Sequence, residues 1–573
     1  MPELDLRSVA ITEQLVAGDP RFAVTKKDIR GVELNVFANT PASMREYFAQ
    51  AADHGDADFL VYEDERYSFN DALAKAYTIA HILVNDYGVK KGERVAVAMR
   101  NYPEWIFSFI ALTSVGIVAV PMNGWWTTEE LDYGLEDSGA RLIIADKERV
   151  ERIKPLMDGL NLKIITVRCA DDEDPRISRL EDLTAASGEQ PLPDVVVDPE
   201  DDATLMYTSG STGFPKGAVS THRGIISALY SWLLMATSST LAALSDIEDP
   251  AALEGLPNYQ PASLMTIPLF HVTACHSIFL MSIVSGRKIV LMYKWDAEAA
   301  LPLIEQERIT DFTGVPTMSW ELLQSPNVDK YDLSSLQGLG SGGAFRPPEH
   351  VKALKEKFPN KSASSGYGLT ETNALGAING GVNYEIKPAS TGRPIGPVLE
   401  IKLVDENDEE VAQGERGEIW LRGPQNVRCY WNKPEATKDA FTEDGWFRTG
   451  DIAIMDEDDF IFIVDRAKDI VIRGGENISC LEVEAALSEH PEVLEVAAFG
   501  IPDERLGEDI AAAVTPKPGT SPTPESIQAF VKEHLAGFKI PKNIWFLDEK
   551  LPRIASGKVN KPGLREMAKE WMA

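Results

Sequence analysis

Through most of the chain, apolar residues recur at helical spacing in stretches that alternate with short β-branched runs, among them Arg94–Met99, Arg141–Ala145 and Lys163–Val167. Strands alternating with helical segments predict an α/β architecture with two mostly parallel sheets. After Pro394 the rhythm changes. Glu400–Val404 and Gly417–Leu421 are short strands set close together, which predicts a β-rich subdomain over about 395–464. Beyond Asp465 the pattern reads strand, helix, strand, helix and predicts a small α+β domain. The expected division is therefore a large part, 1–464, and a small one, 465–573.

Two stretches lack formal charge for more than twenty residues, Trp105–Trp126 and Ser263–Gly286. The first is predicted as a buried helix opened by Asn101-Tyr102-Pro103-Glu104, a turn at Gly116 and a short Val-rich strand. The second carries Pro268, His271, Thr273 and His276, polar groups that hydrocarbon would penalise. Both are read as core and neither as a membrane span. Glu189–Asp202 is predicted to be an exposed connection, and the acidic Ser238–Pro261 a surface excursion.

Composition adds a bound and a puzzle. With 573 residues, 44% hydrophobic and 25% charged, the chain can build several ordinary cores, which excludes disorder as its dominant state. Yet 56 basic residues face 89 acidic ones, a net charge of −33. So acidic a surface argues against a nucleic-acid binder or a protein held to anionic lipid by a basic face. It permits an anionic ligand only where cations are concentrated. Four dispersed cysteines with no Cys-x-x-Cys spacing fit a reducing compartment and imply neither disulfides nor zinc. An acidic N-terminus without an apolar run carries no secretory signal, so the expected location is cytoplasmic.

One decapeptide supplies the needed concentration of donors: Thr208-Ser209-Gly210-Ser211-Thr212-Gly213-Phe214-Pro215-Lys216-Gly217. Three glycines free the backbone to turn N–H groups inward, four hydroxyls add donors, and Lys216 adds a point charge for phosphate. The spacing is not that of the Walker loop. A plain Ser/Gly surface turn has the same composition, so by itself the segment leaves both readings open.

Further motifs follow in a fixed order: Ile267-Pro268-Leu269-Phe270-His271, Gly366-Tyr367-Gly368-Leu369-Thr370-Glu371, Gly445-Trp446-Phe447-Arg448-Thr449-Gly450-Asp451, Asp465-Arg466-Ala467-Lys468-Asp469-Ile470 and Pro552-Arg553-Ile554-Ala555-Ser556-Gly557-Lys558. Together with the decapeptide they resemble the acyl-adenylate-forming superfamily over about residues 40–561, and most of all its medium- and long-chain fatty acyl-CoA synthetases. The resemblance implies an AMP-forming acid–thiol ligase: ATP and a carboxylic acid give acyl-AMP and pyrophosphate, and CoA then displaces AMP. ATP, Mg²⁺ and CoA are the implied cofactors. A monomer or homodimer is expected.

Carried over residue by residue, the resemblance assigns Thr208–Gly213 and Lys216 to phosphate, and Ser341-Gly342-Gly343-Ala344 to the adenine edge and acyl pocket. Tyr367 and Gly368 fall against adenine, Thr370 on the α-phosphate and Glu371 on Mg²⁺. A hard cation wants carboxylate and phosphate oxygen together, so Glu371 is chemically apt. Asp451 and Arg466 are assigned to the ribose, and Gly474-Gly475 to a pantetheine tunnel. Lys468 is assigned as the hinge about which the small domain turns. Lys558 would bridge the two anions that must meet in the first step. His271 joins the predicted catalytic residues by positioning rather than by proton transfer, and His276 is read as structural.

Phe270-His271 stands where amino-acid-activating relatives carry an acid, which favours a CoA ligase over a stand-alone adenylation domain. A ligase that stops at acyl-AMP, an aryl or steroid side-chain acid–CoA ligase, a luciferase-like oxygenase and a non-catalytic nucleotide- or acyl-binding protein are the alternatives. The last should lack Lys558, Glu371 or Asp451, and all three are present. Trp125, Trp126, Trp232, Met265 and Phe270 supply an apolar environment, with Trp125 and Trp126 expected to serve core packing. The final 37 residues hold eight basic and four acidic side chains, so the acidity belongs to the rest of the chain and Lys558 lies in a locally basic end.

Overall fold

The computed structural model describes residues 3–208, 215–245, 259–466, 469–473, 476–503, 505–554 and 558–572. Within them the alternation of apolar runs becomes two large, mostly parallel sheets. The first has eight strands, with Arg94–Ala98, Val118–Pro121, Leu142–Asp146, Lys163–Val167 and Asp202–Thr208 parallel, and an antiparallel edge of Lys216–Thr221 and Cys429–Tyr430. The second has nine, including parallel Ala262–Met265, Asp311–Gly314, Gly338–Gly342 and Ser362–Gly368. Their β-branched side chains are buried on both faces, as sheets covered by helices require.

The β-rich region is a four-stranded antiparallel sheet of Glu400–Val404, Arg416–Arg422, Trp446–Met455 and Ile461–Arg466. Asp465 and Arg466 therefore lie in its last strand. The C-terminal sheet contains Val493–Asp503 and Gly507–Pro516, flanked by the helices Cys480–Ser488, Pro524–Val531 and Lys561–Met572.

Both uncharged stretches fall in the core. Pro103–Ser114 is a helix with proline at its first position, Gly116 turns at φ +68°, and Val118–Pro121 is a wholly buried strand. Thr273–Ser285 packs its aromatic and aliphatic side chains against Pro103–Ser114. The supposed excursion from Ser238 is corrected in part. Ser238–Leu244 is the last part of the long helix His222–Leu244, with Ser238 and Ala242 buried, while 246–258 lie outside the described residues. Its Ser238-Ser239-Thr240 run is weak in helix propensity, Leu241–Leu244 restore it, and contact with the N-terminal helix Arg7–Gly18 adds tertiary support. This is also the one described helix long and apolar enough to cross a membrane, and more than half of its most apolar window is buried within the fold.

A second correction concerns the paired tryptophans. Trp126 is core, packed on Tyr207, but Trp125 is 38% exposed. Its backbone N–H donates to the Asn123 side chain at 2.9 Å.

Candidate active site

The strands Asp202–Thr208 and Lys216–Thr221 are antiparallel, with Thr208 opposite Lys216. The phosphate-loop motif is thus the connection at the end of a hairpin. Ser209, Gly210, Ser211, Thr212 and Gly213 lie outside the described residues, as do Lys468, Gly474 and Gly475. Beside the hairpin, Tyr430 sits in the edge strand that pairs with Ala218–Val219. The Lys216 ammonium lies 5.0 Å from the centre of its ring, and the Tyr430 hydroxyl donates to Glu371 Oε1 at 2.7 Å. Tyr430 was not anticipated from the sequence. It is 59 residues from Glu371 along the chain and carries no local motif.

Glu371 is placed by a tight turn at the end of Ser362–Gly368. Asn373 and Ala374 both take positive φ, +52° and +68°, which few non-glycine residues adopt. The Asn373 side chain is fixed from both ends, by the Ser220 hydroxyl at 2.8 Å and the Gln425 carbonyl at 2.8 Å. The turn brings Ala374 back on Gly368, where a Cβ would stand 2.2 Å from the Ala374 carbonyl oxygen. Only glycine fits there. Burial pushes the Glu371 carboxyl above the usual carboxylate range, and Tyr430, Arg466 and Lys216 pull it only part of the way back.

That shift has a sign in stability. The native state holds the Glu371 proton more tightly than the unfolded chain does. Its contribution is therefore full below the unfolded pKa of about 4.3 and is lost as pH rises through the folded value. Glu371→Gln, neutral and isosteric, is expected to melt about 1–3 °C above wild type near pH 8, with the gap closing toward about pH 4.5. A calorimetric scan across that range checks it, and a lower melting temperature near pH 8 would refute it.

On the third sheet, Trp446–Met455 and Ile461–Arg466 run antiparallel with Asp451 directly opposite Arg466. The buried Asp451 carboxylate accepts from the Tyr367 hydroxyl at 2.7 Å and pairs with Arg466 Nε at 3.0 Å. Burial, then the Asp451 charge, pushes the Tyr367 phenol well up, so it stays a neutral donor. Asp451 is thus a mid-strand acceptor with a charge-assisted partner.

Lys558 reaches this part of the molecule from the C-terminal domain. Its carbonyl accepts from Ile554 N–H at 2.9 Å, and residues 555–557 lie outside the described residues. Its Cε lies 3.4 Å, and its Nζ 3.9 Å, from where a Cβ on Gly343 would stand. Gly343 has φ +75°, so a side chain there would be both strained and in the way. Ala344, next in sequence, is exposed, while Gly342 is buried with the Thr273 methyl 3.9 Å from its missing Cβ. The same domain pose is tied by Lys550, which pairs with Glu321, itself accepting from Trp295 Nε1 at 2.6 Å.

His271 feels the Lys558 charge. Burial, then the lysine charge, lowers its pKa to about 3, and its Nε2 is buried with no partner. A neutral ring of that pKa is a poor general base near neutral pH, in keeping with positioning. His276 is fully buried, its pKa lowered to about 4 by burial. Thr370 opens the short turn that carries Glu371.

In an acidic protein three cations thus lie along this part of the molecule: Arg466 pairs with Asp451, Arg466 and Lys216 act on the Glu371 carboxyl, and Lys558 lies beside Gly343. Two family models match this chain: the AMP-binding enzyme over residues 47–431 and the AMP-binding enzyme C-terminal domain over 482–558. The chain belongs to the AMP-binding enzyme family. It is 32% identical over 486 residues to 4-coumarate–CoA ligase 2 of Petroselinum crispum, covering 84% of this chain and 86% of that one. It is 33% identical over 542 residues to the long-chain-fatty-acid–CoA ligase of Bacillus subtilis strain 168, covering 90% and 92%. Among solved structures, the anthranilate CoA ligase AuaEII in complex with anthranoyl-AMP superposes with a TM-score of 0.81 at 26% identity, covering 93% of this chain and 98% of that one. The fold of this family is therefore the fold described above, with two mostly parallel sheets and a small C-terminal domain.

Proposed function

We propose that this AMP-binding enzyme activates a hydrophobic carboxylic acid as its acyl-adenylate and passes the acyl group to CoA, releasing AMP. The observation that carries the reading is the Lys558 ammonium beside Gly343 and His271, brought by the C-terminal domain to the site that holds Glu371, Tyr367 and Asp451. In the first step a carboxylate oxygen attacks the α-phosphorus of ATP and pyrophosphate leaves. Lys558 lies between the two anions and offsets charge that grows in the transition state. Thr208, Lys216 and the loop between them hold the phosphates, with Thr370 on the α-phosphate. Asp451 accepts from the ribose hydroxyls, with Arg466 alongside, and Tyr367, Gly342, Gly343 and Ala344 border adenine and the acyl group.

Mg²⁺ fits the donor set: one buried carboxylate, Glu371, fixed by Tyr430 and aided by substrate phosphates, is how this cation is commonly held. When bound it neutralises phosphate charge. Glu371 would hold it, and Tyr430 keeps that carboxylate oriented.

In the second step the CoA thiolate attacks the acyl carbonyl and AMP leaves. One site must first exclude water from a mixed anhydride and later admit a thiol. Rotation of the small domain about Lys468 meets both needs, withdrawing Lys558 and bringing the Gly474-Gly475 loop to the pantetheine path.

For the acid, medium- or long-chain fatty acids are the first reading, supported by Pro268-Leu269-Phe270-His271 and the Bacillus subtilis relative. A flat aryl acid is the second. The Trp232 indole edge lies 3.9 Å from where a Gly366 Cβ would stand, an aromatic surface suited to a flat acid, and the Petroselinum crispum relative is named for coumarate. AMP release over aliphatic, aryl and polycyclic acids, with and without CoA, decides between them. No acid-dependent pyrophosphate exchange with any acid would refute the activity, and exchange without CoA-dependent AMP release would leave an acyl-AMP ligase. In the same assay Lys468→Pro is expected to keep exchange and lose most CoA-dependent turnover; unchanged turnover would remove the hinge from Lys468.

A further inference from the structure

The segment that carries Lys558 is fixed on both flanks by ion pairs that the nucleotide and acyl contacts leave unused. On one flank the Arg553 guanidinium pairs with Glu495 Oε1 at 2.7 Å, and Leu551 N–H donates to Glu495 Oε2 at 3.2 Å. On the other, Lys561 Nζ pairs with Glu484 Oε1 at 2.8 Å, an oxygen that also accepts from Ala498 N–H at 2.8 Å. Between them Arg553 bridges antiparallel to Val559, which packs against the core that contains Leu551 and Leu564. Successive side chains of an extended segment point to opposite sides, so an inward Val559 sends Lys558 the other way, toward Gly343.

The Lys561–Glu484 pair is drawn well out of solvent, its side chains 18% and 16% exposed. Burial works against the Lys561 charge, but Glu484, then Cys480 and Asp465, outweigh it and hold the ammonium protonated above the ordinary lysine range. Asp465 is buried in the last strand of the third sheet. One ammonium therefore binds a carboxylate on the helix Cys480–Ser488 and acts on a second, on the strand that carries Arg466. Taking such a pair from water costs about as much as its attraction returns, so net stability is a poor reason for it. What it fixes is position. Lys561 is three residues beyond Lys558, at most about 11 Å of chain.

We propose that Lys561 is a positioning residue for adenylate formation, holding the backbone beyond Lys558 through Glu484 so that the Lys558 ammonium reaches the gap beside Gly343. The proposal rests on the bridging role given to Lys558 above. Bonds from Ile554 N–H to the Lys558 carbonyl and from Asn560 N–H to the Pro552 carbonyl fix the two flanks to each other. The ion pairs to Glu495 and Glu484 fix them to the domain. Val559 cannot do this by itself, because apolar contact has no direction. The tolerance is small, since Lys558 Cε stands 3.4 Å from where a Gly343 Cβ would be. A displacement of about 1 Å at a reacting centre can cost about 10²-fold in rate.

Full-length protein and the acid that gives the fastest pyrophosphate exchange supply the test. Lys561→Met is expected to lower kcat for acid-dependent exchange by about 10–100-fold, with KM for ATP and for the acid within about 3-fold of wild type. Thiolysis of supplied acyl-AMP by CoA should stay within about 3-fold, because that step does not need Lys558. Lys561→Arg keeps the charge and should recover most of the exchange. Lys561→Met also leaves Glu484 without its cation and should melt lower than wild type. Adding Glu484→Gln removes both charges, so melting should return toward wild type while exchange stays low. With Lys558→Ala already present, Lys561→Met should lower the residual exchange no further, because no ammonium is left to position.

Wild-type exchange in Lys561→Met would overturn the proposal. So would equal losses in both half-reactions, or exchange that recovers together with the melting temperature once Glu484→Gln is added; either makes the pair a plain support of the fold. A further loss in the Lys558→Ala background would show that Lys561 acts by another route. Failure of the underlying reading looks different: Lys558→Ala itself would exchange pyrophosphate at the wild-type rate.

Discussion

Replacing Lys558 with alanine is expected to lower acid-dependent ATP–pyrophosphate exchange by about 10³-fold while leaving thiolysis of supplied acyl-AMP within a few-fold of wild type. The asymmetry follows from where the charge is needed. Only the first half-reaction brings a carboxylate and an α-phosphate together, and a single well-placed charge or donor at a developing anion contributes about 10²–10³ in rate. The second half-reaction attacks a mixed anhydride that is already activated. The geometry makes the lysine's placement specific, since Gly343 leaves open the space into which its Cε and Nζ fit. Lys558→Arg should not recover the activity. Its planar fork is wider than an ammonium, and the gap beside Gly343 admits a narrow methylene chain. Folding is a small part of the effect, because the C-terminal core is built from other residues, among them Ile510, Val514 and Leu564. Equal losses in both half-reactions would displace Lys558 from the bridging role and make it a general support of the closed domain pose.

The parts of this site that were legible in the sequence are those whose chemistry is local. A run of glycines and hydroxyls ending in Lys216, a ring-hydroxyl-carboxylate set at Tyr367–Glu371 and a lysine after Gly557 are each contained in a few consecutive residues, and their order along the chain carries the resemblance. The alternating runs that became parallel strands are local too. What stayed hidden is what only register and packing create. Asp451 and Arg466 are legible separately, but their opposition across two antiparallel strands is a fact of pairing. Tyr430 reaches Glu371 because a two-residue edge strand joins the first sheet far along the chain. Periodicity could not separate Trp125 from Trp126. Adjacent residues in an irregular segment have no common face, and packing against Tyr207 buries Trp126 while Trp125 stays 38% exposed. The helix that runs on through Ser238 is supported by tertiary contact across a run weak in helix propensity.

Register also sets the second large effect. Asp451→Ala is expected to reduce kcat/KM for ATP by about 10²-fold or more, with most of the change in KM. The carboxylate has two partners in this structure, the Tyr367 hydroxyl at 2.7 Å and Arg466 Nε at 3.0 Å. On the proposed function, removing it deprives the nucleotide of a charged ribose acceptor, and each hydrogen bond to a charged group contributes about 1.5–3 kcal/mol. It also leaves the partly buried Tyr367 phenol without its acceptor, which costs about 1 kcal/mol in the folded protein. The two consequences can be separated. Asp451→Asn keeps an acceptor for Tyr367 but loses the charge, so it should melt nearer to wild type while ATP binding stays weak. Tyr367→Phe with Asp451→Ala removes both ends of the buried bond, and the pair should be less destabilising together than the sum of the single changes. If calorimetry gave strict additivity, the 2.7 Å contact would not couple these residues in solution. If KM for ATP held at its wild-type value in Asp451→Ala, ribose recognition would have to lie elsewhere than on this strand pair, and the convergence of Arg466 with Asp451 would be a structural tie between the third sheet's last two strands.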